Sequence, residues 1–358
     1  MATPSILGGP AAWHGRDLML ERDWIRPLSP VALSELDDAV TALHRRPAVL
    51  QDLKRGDFAF TRLAIELAEA ADELENGRGV VKLTGVPVER YDDADLRRLF
   101  WGLGLNLGTP VYQNAHGEVM GLICDEGAEV GAKRGQMVDR DGGTFLSSRA
   151  RAQSTQLLRW HTDRTDVVGL LCAGEAAEGG TSRVASAVAI HDEMVRRRPD
   201  LAAVLYDDIM RSRLGEEAGG VDATYALPVF GVHEGRFSSH YSRTYVEAAQ
   251  NLAGVPTMRD DQWAALDLLA ELGEEMCFEM ELKKGDIQFL NNHVIYHARG
   301  AFRDDPAAGQ IRRLYRLWLA MPNSRELPPG YDVLFGSREA GAIRGGILQA
   351  DDGRRAPM

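Results

Sequence analysis

The segment Trp160-His161-Thr162-Asp163 and the distant Asn291-Asn292-His293-Val294-Ile295-Tyr296-His297 constrain this chain more than any other part of it. In a strand, residues two apart point to the same side, so His161 and Asp163 share a face while Thr162 turns away. One further imidazole from a second strand completes two histidines and one carboxylate, the facial set that holds iron(II) and leaves three coordination positions open. A fold that carries such a site must bring residue 297 back beside residue 161.

The arginines obey the same face-counting. Residues 311–321 read as a strand rich in aliphatic and aromatic side chains, which places Arg312, Leu314, Arg316 and Trp318 on one face. Guanidiniums on a mostly apolar strand are costly unless each meets an anion. The planar fork of arginine suits a carboxylate, to which it donates two parallel hydrogen bonds.

The ordered set His161-x-Asp163, Gly179-Gly180-x-Ser182, Gly285-Asp286, His297 and Arg312-x-x-x-Arg316 resembles the TauD/TfdA family of iron(II)/2-oxoglutarate dioxygenases, and the resemblance runs over residues 80–322. It implies an α+β, β-rich fold: a double-stranded β-helix, jelly-roll or cupin-like, with peripheral helices and the metal at its mouth. It also implies iron(II) on His161, Asp163 and His297, and 2-oxoglutarate as cosubstrate with its far carboxylate on Arg312. The hydroxyl of Ser182 assists Arg312, or that of Thr181 if the segment is shifted by one. Arg316 and Tyr112 match positions that meet the primary substrate. The activity implied is hydroxylation of an unactivated C–H bond in a small, carboxylate-bearing molecule, an amino acid or natural-product intermediate. O2 is consumed, and succinate and CO2 are released.

Departures from the family pattern narrow this further. Taurine-oxidising members carry a histidine where this chain has Thr109 and a polar pocket residue where it has Leu157, so taurine is not the expected substrate. Halogenating members replace the carboxylate ligand by a small residue, whereas Asp163 is retained. Desaturation or ring closure by the same iron chemistry stays open. The alternative from another class is a non-catalytic jelly-roll protein that binds a small molecule, and it should show a broken ligand or arginine set. Demethylation of a nucleic acid or histone tail should bring a basic groove or a reader module.

Two other histidines compete for attention. His293 lies four residues before His297 on the same strand face, but it falls at a turn-like Asn-Asn-His, and the stretch from His297 to Phe302 resembles the family's sequence after the ligand. His240 has no partner at useful spacing, although its segment could reach the pocket. His191 is read as part of a solvated helix end running to Arg198, and Trp160 and Trp318 as packing or cavity wall.

The net charge of −12 argues against a general nucleic-acid surface. Arg159, Arg164, Arg312, Arg313 and Arg316 are local exceptions that fit small anions. Cys124, Cys172 and Cys277 form no Cys-x-x-Cys pair, so neither a disulfide framework nor a zinc module is indicated. No signal-like or membrane-length apolar segment is evident, which makes the cytoplasm the expected compartment. Whether chains self-associate is left open.

Periodicity places helices at 29–45, 60–74, 93–104, 188–197 and 260–273. Strands are expected at 79–85, 119–124, 167–172, 229–233, 237–241, 277–282, 287–290, 294–297 and 311–321. This order divides the chain into an N-terminal helical extension (1–75), the double-stranded β-helix (76–322) and a peripheral tail of the same domain (323–358). The polar, glycine-rich stretch 125–156 immediately precedes His161 and is read as a substrate lid.

Overall fold

Two sheets enclose the interior of this computed structural model, which describes residues 4–45, 48–138, 143–213, 222–349 and 353–357. The larger sheet runs, edge to edge, through Ile25–Pro27, Val80–Thr84, Ile287–Asn291, Val167–Gly174, Arg313–Ala320 and Thr109–Pro110, with Met120–Ile123 also paired to Arg313–Ala320. The smaller sheet runs through Phe278–Met280, Ser182–Ser186, Ile295–Arg299 and Leu158–His161. All pairs are antiparallel except Ile25–Pro27 with Val80–Thr84. This is the expected jelly-roll arrangement, and its helices lie on the outside.

Alternation along each strand assigns the faces. In the larger sheet, Val167, Leu171, Tyr315, Leu317 and Leu319 pack outward against helices Pro30–His44, Arg62–Asn76 and Asp93–Leu107. Val168, Leu170, Leu314, Arg316 and Trp318 face inward. Helices Ala187–Arg197 and Asp260–Met276 cover the smaller sheet, with Ile190, Leu266, Leu269 and Leu272 buried beside Val184 and Ile295. The helix starts are chemically explicit. Ser29 accepts the Ala32 N–H at 3.2 Å ahead of Pro30, and Asp92 accepts that of Asp95 at 2.8 Å.

Three sequence expectations are revised, and the stretch read as a lid proves to hold secondary structure of its own. The N-terminal segment does more than pack helices on the core: it contributes an edge strand, Ile25–Pro27, and buries Trp13, Leu18 and Trp24 in the same hydrophobic core as Val184 and Ile295. That strand is only three residues long, too short to register as a period. Within 125–156 lie helices Val130–Arg134 and Ser148–Ala152 and a hairpin of Gln136–Val138 with Thr144–Leu146; residues 139–142 fall outside the described ones. His191 is fully buried rather than solvated, between the Asp192 carboxylate and the Tyr206 hydroxyl, because the main chain of Leu7 and Gly8 caps Asp192 from outside.

The tail is not peripheral. Arg344 has 0% exposure and donates to Asp166 at 2.8 Å and to the carbonyls of Arg325, Arg338 and Glu339. Asp166 also accepts from His293 Nε2 (2.8 Å) and from the Met321 N–H (2.9 Å). Burial alone would push the Asp166 carboxyl up, but the His293 hydrogen bond and the Arg344 charge hold it below its ordinary value. Among the described residues, no helix is long and apolar enough to cross a membrane.

Removing one partner of such a pair strands the other charge in the interior. Arg344→Met is therefore expected to cost about 3–5 kcal/mol in urea unfolding, and the double variant with Asp166→Asn to recover part of that loss.

Candidate active site

The strand Ile295–Arg299 sits between two neighbours: His297 lies opposite His161 on one, where the register shifts before Arg299, and opposite Val184 on the other, where it is regular. The two imidazoles come to 4.1 Å between ring centroids. Asp163, two residues past the end of the Leu158–His161 strand, brings its carboxylate to 4.0 Å from His161 Nε2 and 3.8 Å from His297 Nε2. These are too long for hydrogen bonds, and the three ligand atoms lie within 4.8 Å of one another. Asp163 Oδ2 is buried with no hydrogen-bond partner. His161 has its Nδ1 at 2.9 Å from the Arg159 carbonyl, which fixes Nδ1 as the protonated nitrogen and leaves the Nε2 lone pair facing Asp163.

Burial pushes both imidazoles down in pKa, His297 to about 3, so both are neutral and able to ligate at physiological pH. Burial pushes Asp163 the other way, but Arg316, His297 and His161 outweigh it and keep the carboxyl below its ordinary value. Two neutral nitrogens and one carboxylate oxygen fit a divalent iron site.

The loop carrying Asp163 is held from outside. Asn292 Oδ1 accepts the Asp163 N–H at 2.9 Å, Asn292 N–H donates to the Asp166 carbonyl, and Gly346 N–H donates to the Arg164 carbonyl at 2.7 Å. A Cβ on Gly345, at φ +75°, would stand 2.7 Å from that same carbonyl, so the tail approaches as closely as glycine permits. His293 is committed to Asp166 and stands outside the His161, Asp163, His297 cluster.

His161 and Asp163 line two cavities at once. The inner one lies between the sheets and ends at Arg312. That guanidinium is buried 5.3 Å over the Phe302 ring, and its Nη1 has no hydrogen-bond partner. Burial pushes Arg312 down to about 10, and Asp304 takes its main-chain N–H rather than its guanidinium. Ser182 lines the same cavity, because its pairing opposite Arg299 turns its side chain inward, where the hydroxyl meets Gln288 at 3.0 Å. Thr181 lines a separate groove on the far side of Arg312.

Arg299, unremarked in the sequence, also lies over the Phe302 ring, at 4.7 Å, and donates to the carbonyls of Arg151, Ala152, Ser154 and Gln156. It thereby ties the end of the 125–156 segment to the His297 strand. Its spacing of two from His297 was the available signal.

The outer cavity contains Arg316, Gln113, Trp318 and His240. Arg316 lies over the Trp318 ring at 4.9 Å, donates Nε–H to Gln113 Oε1 at 2.7 Å, and stands 3.8 Å from Asp163. Tyr112 is not among the described side chains that line either cavity. It packs with the helix-facing core, and its neighbour Gln113 takes the inward position. His240 Nδ1 is 3.0 Å from the Thr162 hydroxyl. Of the other arginines noted as anion sites, Arg159 is paired with Glu247 and Arg313 with Asp93, while Arg164 lines the outer cavity.

The model of the taurine catabolism dioxygenase TauD, TfdA family matches residues 45–318. The chain belongs to the TauD/TfdA family. It is a dioxygenase by that membership. Among similar proteins, FR-33289 synthase of Streptomyces rubellomurinus (strain ATCC 31215) is 29% identical over 326 residues, covering 89% of this chain and 92% of that protein. A taurine hydroxylase-like protein of Stachybotrys chartarum (strain CBS 109288 / IBT 7711) is 28% identical over 327 residues, covering 89% and 81%. Asparagine oxygenase in complex with Fe(II), 2S,3S-3-hydroxyasparagine and succinate superposes with a TM-score of 0.62 at 14% identity, over 83% of this chain and 93% of that one. The non-heme iron oxygenase OrfP with Fe and alpha-ketoglutaric acid gives 0.58 at 17% identity, over 82% and 93%. These superpositions establish the shared fold.

Because Asn292 orients the Asp163 main chain, Asn292→Ala is expected to weaken iron(II) binding by about 10–100-fold without unfolding the protein. Equilibrium metal titration, with circular dichroism as the fold control, checks this.

Proposed function

We infer that this chain is an iron(II)- and 2-oxoglutarate-dependent oxygenase that hydroxylates a small anionic substrate. One observation carries the reading: the His161, Asp163, His297 cluster stands where an inner cavity ending at the buried Arg312 meets an outer cavity holding Arg316. In this reading His161 Nε2, His297 Nε2 and an Asp163 oxygen hold the iron. With 2-oxoglutarate and O2, the bound iron supplies the oxidising power to hydroxylate an unactivated C–H bond, with succinate and CO2 released.

The protein's own contribution is placement. Arg312 offers the far carboxylate of 2-oxoglutarate a desolvated guanidinium whose Nη1 awaits an acceptor, and Ser182 adds a hydroxyl nearby. The apolar wall of Val168, Leu170, Leu282 and Leu314 keeps water from that end. On the other side, Arg316 and Gln113 present donors to the substrate, and Trp318 supports Arg316 from below. Residues 148–152, at the end of the stretch read as a lid, supply part of the outer wall through Ser148, Arg149 and Ala152, which supports that reading. The retained Asp163 and the filled arginine positions favour turnover over a binding-only role.

Anaerobic titration of the metal-free protein with iron(II) and then 2-oxoglutarate is expected to give the weak visible band of the metal–cosubstrate complex, and His161→Ala to abolish it. A folded protein with no band would sink this reading. Gly180→Ala places a Cβ 3.0 Å from Arg312 Nε at a backbone φ of +74°. It should raise the 2-oxoglutarate dissociation constant by about tenfold while iron affinity stays within about twofold, as read by calorimetry.

A further inference from the structure

His240 stands in the wall of the outer cavity with Thr162, Arg316 and Trp318, apart from the metal cluster. Its Nδ1 lies 3.0 Å from the Thr162 hydroxyl, and no hydrogen bond among the described residues engages its Nε2. Which nitrogen carries the proton follows from Thr162. That hydroxyl accepts the Tyr241 N–H at 3.1 Å, and its own proton can go to His240 Nδ1 at 3.0 Å or to the Tyr241 carbonyl at 3.4 Å. The carbonyl already takes the Thr162 main-chain N–H at 2.8 Å, so the shorter bond to the imidazole is favoured. Nδ1 is then an acceptor, and a neutral ring carries its proton on Nε2.

The ring is neutral, because burial and then the charges of Arg211 and Arg164 push its pKa well below the ordinary histidine value. It is also fixed in place. The His240 N–H donates to the Val229 carbonyl at 3.0 Å, the His240 carbonyl accepts from Arg211 at 3.1 Å, and the ring stands edge-on to Phe335 at 6.0 Å between centroids. A donor held this way loses little freedom when an acceptor arrives. A purely structural role is complete with the Thr162 contact, and it leaves a polar N–H on the cavity side of the ring without the partner that such a group requires.

The type of donor selects the type of acceptor. Arg316 supplies a charged donor for an anionic group, whereas a neutral imidazole N–H adds no charge and offers no lone pair to a substrate amine. We propose that His240 is a specificity-determining residue whose Nε2–H donates to an uncharged carbonyl oxygen of the substrate, while Arg316 holds the anionic end. The proposal rests on the oxygenase reading above and deepens it. Thr162, which lies between two metal ligands in the chain, sets the tautomer that makes His240 a donor. A substrate with an amine in place of the carbonyl meets no acceptor on this ring and is disfavoured.

The test joins nitrogen NMR of histidine-labelled, metal-free protein to calorimetry with N-acetylglycine and pentanoate, two carboxylates of equal chain length of which only the first carries an amide. The parent is expected to hold the His240 proton on Nε2, with His240→Gln assigning the signal, and to bind N-acetylglycine at least about fivefold more tightly than pentanoate. His240→Leu should remove that preference. His240→Gln, which keeps an amide N–H on a side chain of similar reach, should retain part of it, and circular dichroism checks the fold of both variants. A parent whose Nε2 lacks the proton, a parent without the preference, or a preference that survives His240→Leu overturns the assignment. Because these titrations use metal-free protein, they are read separately from the visible iron–2-oxoglutarate band of the parent. A missing preference with the band present refutes the His240 assignment alone, and a missing band with the preference present refutes the oxygenase reading alone.

Discussion

The pairing of His297 with His161 across the smaller sheet is the constraint on which the rest of the site depends. Side chains alternate at every residue of a strand, so a slip of one would turn His297 and Arg299 outward together. The strand is protected from slipping because it is hydrogen-bonded on both sides, to Ser182–Ser186 as well as to Leu158–His161. The same register turns Ser182 inward opposite Arg299 and leaves Thr181 beyond the strand end. One backbone decision therefore sets two imidazoles, one hydroxyl and one structural arginine.

Buried charge is handled in two distinct ways around this register. Asp166 is shared by His293 Nε2, Arg344 and the Met321 main chain, a buried ion-pair network that braces the metal loop. Arg312 is left with an unsatisfied Nη1 and a lowered pKa, and Asp163 with an unsatisfied oxygen. A protein interior tolerates such unsatisfied groups poorly, and here they occur at the two ends of a single cavity. Their place in the wall of that one cavity sets these open groups apart as places for ligands.

Much of this was legible in the sequence because short-range periodicity carries it. The two-residue spacing of His161 and Asp163 and the single face of Arg312, Leu314, Arg316 and Trp318 translate directly into inward-facing residues. Helices such as Pro30–His44 and Asp260–Met276 announce themselves by apolar spacing and caps. What escaped was set by long-range partners. Arg344 reads as a surface arginine in a glycine-rich tail until Asp166, distant in sequence, supplies its counter-charge. Arg149 and Arg213 look like ordinary polar residues of a loop and a strand end, and only the folded chain brings them to one wall. Tyr112 is singled out by the family resemblance, and residue type without the pleat does not say that its neighbour Gln113 faces in.

The clamp by Arg344 also bears on how the protein comes into being. Asp166 and the loop it anchors are synthesised early, but their counter-charge and the Gly345–Gly346 brace arrive only when residues 344–346 have been made. Contacts of such sequence separation form late, because the loop they close must be ordered first. The metal loop is thus completed only after residues 344–346 have joined it. A chain that stops short of residue 344 would lack this lock, leaving the Asp163 loop without its brace.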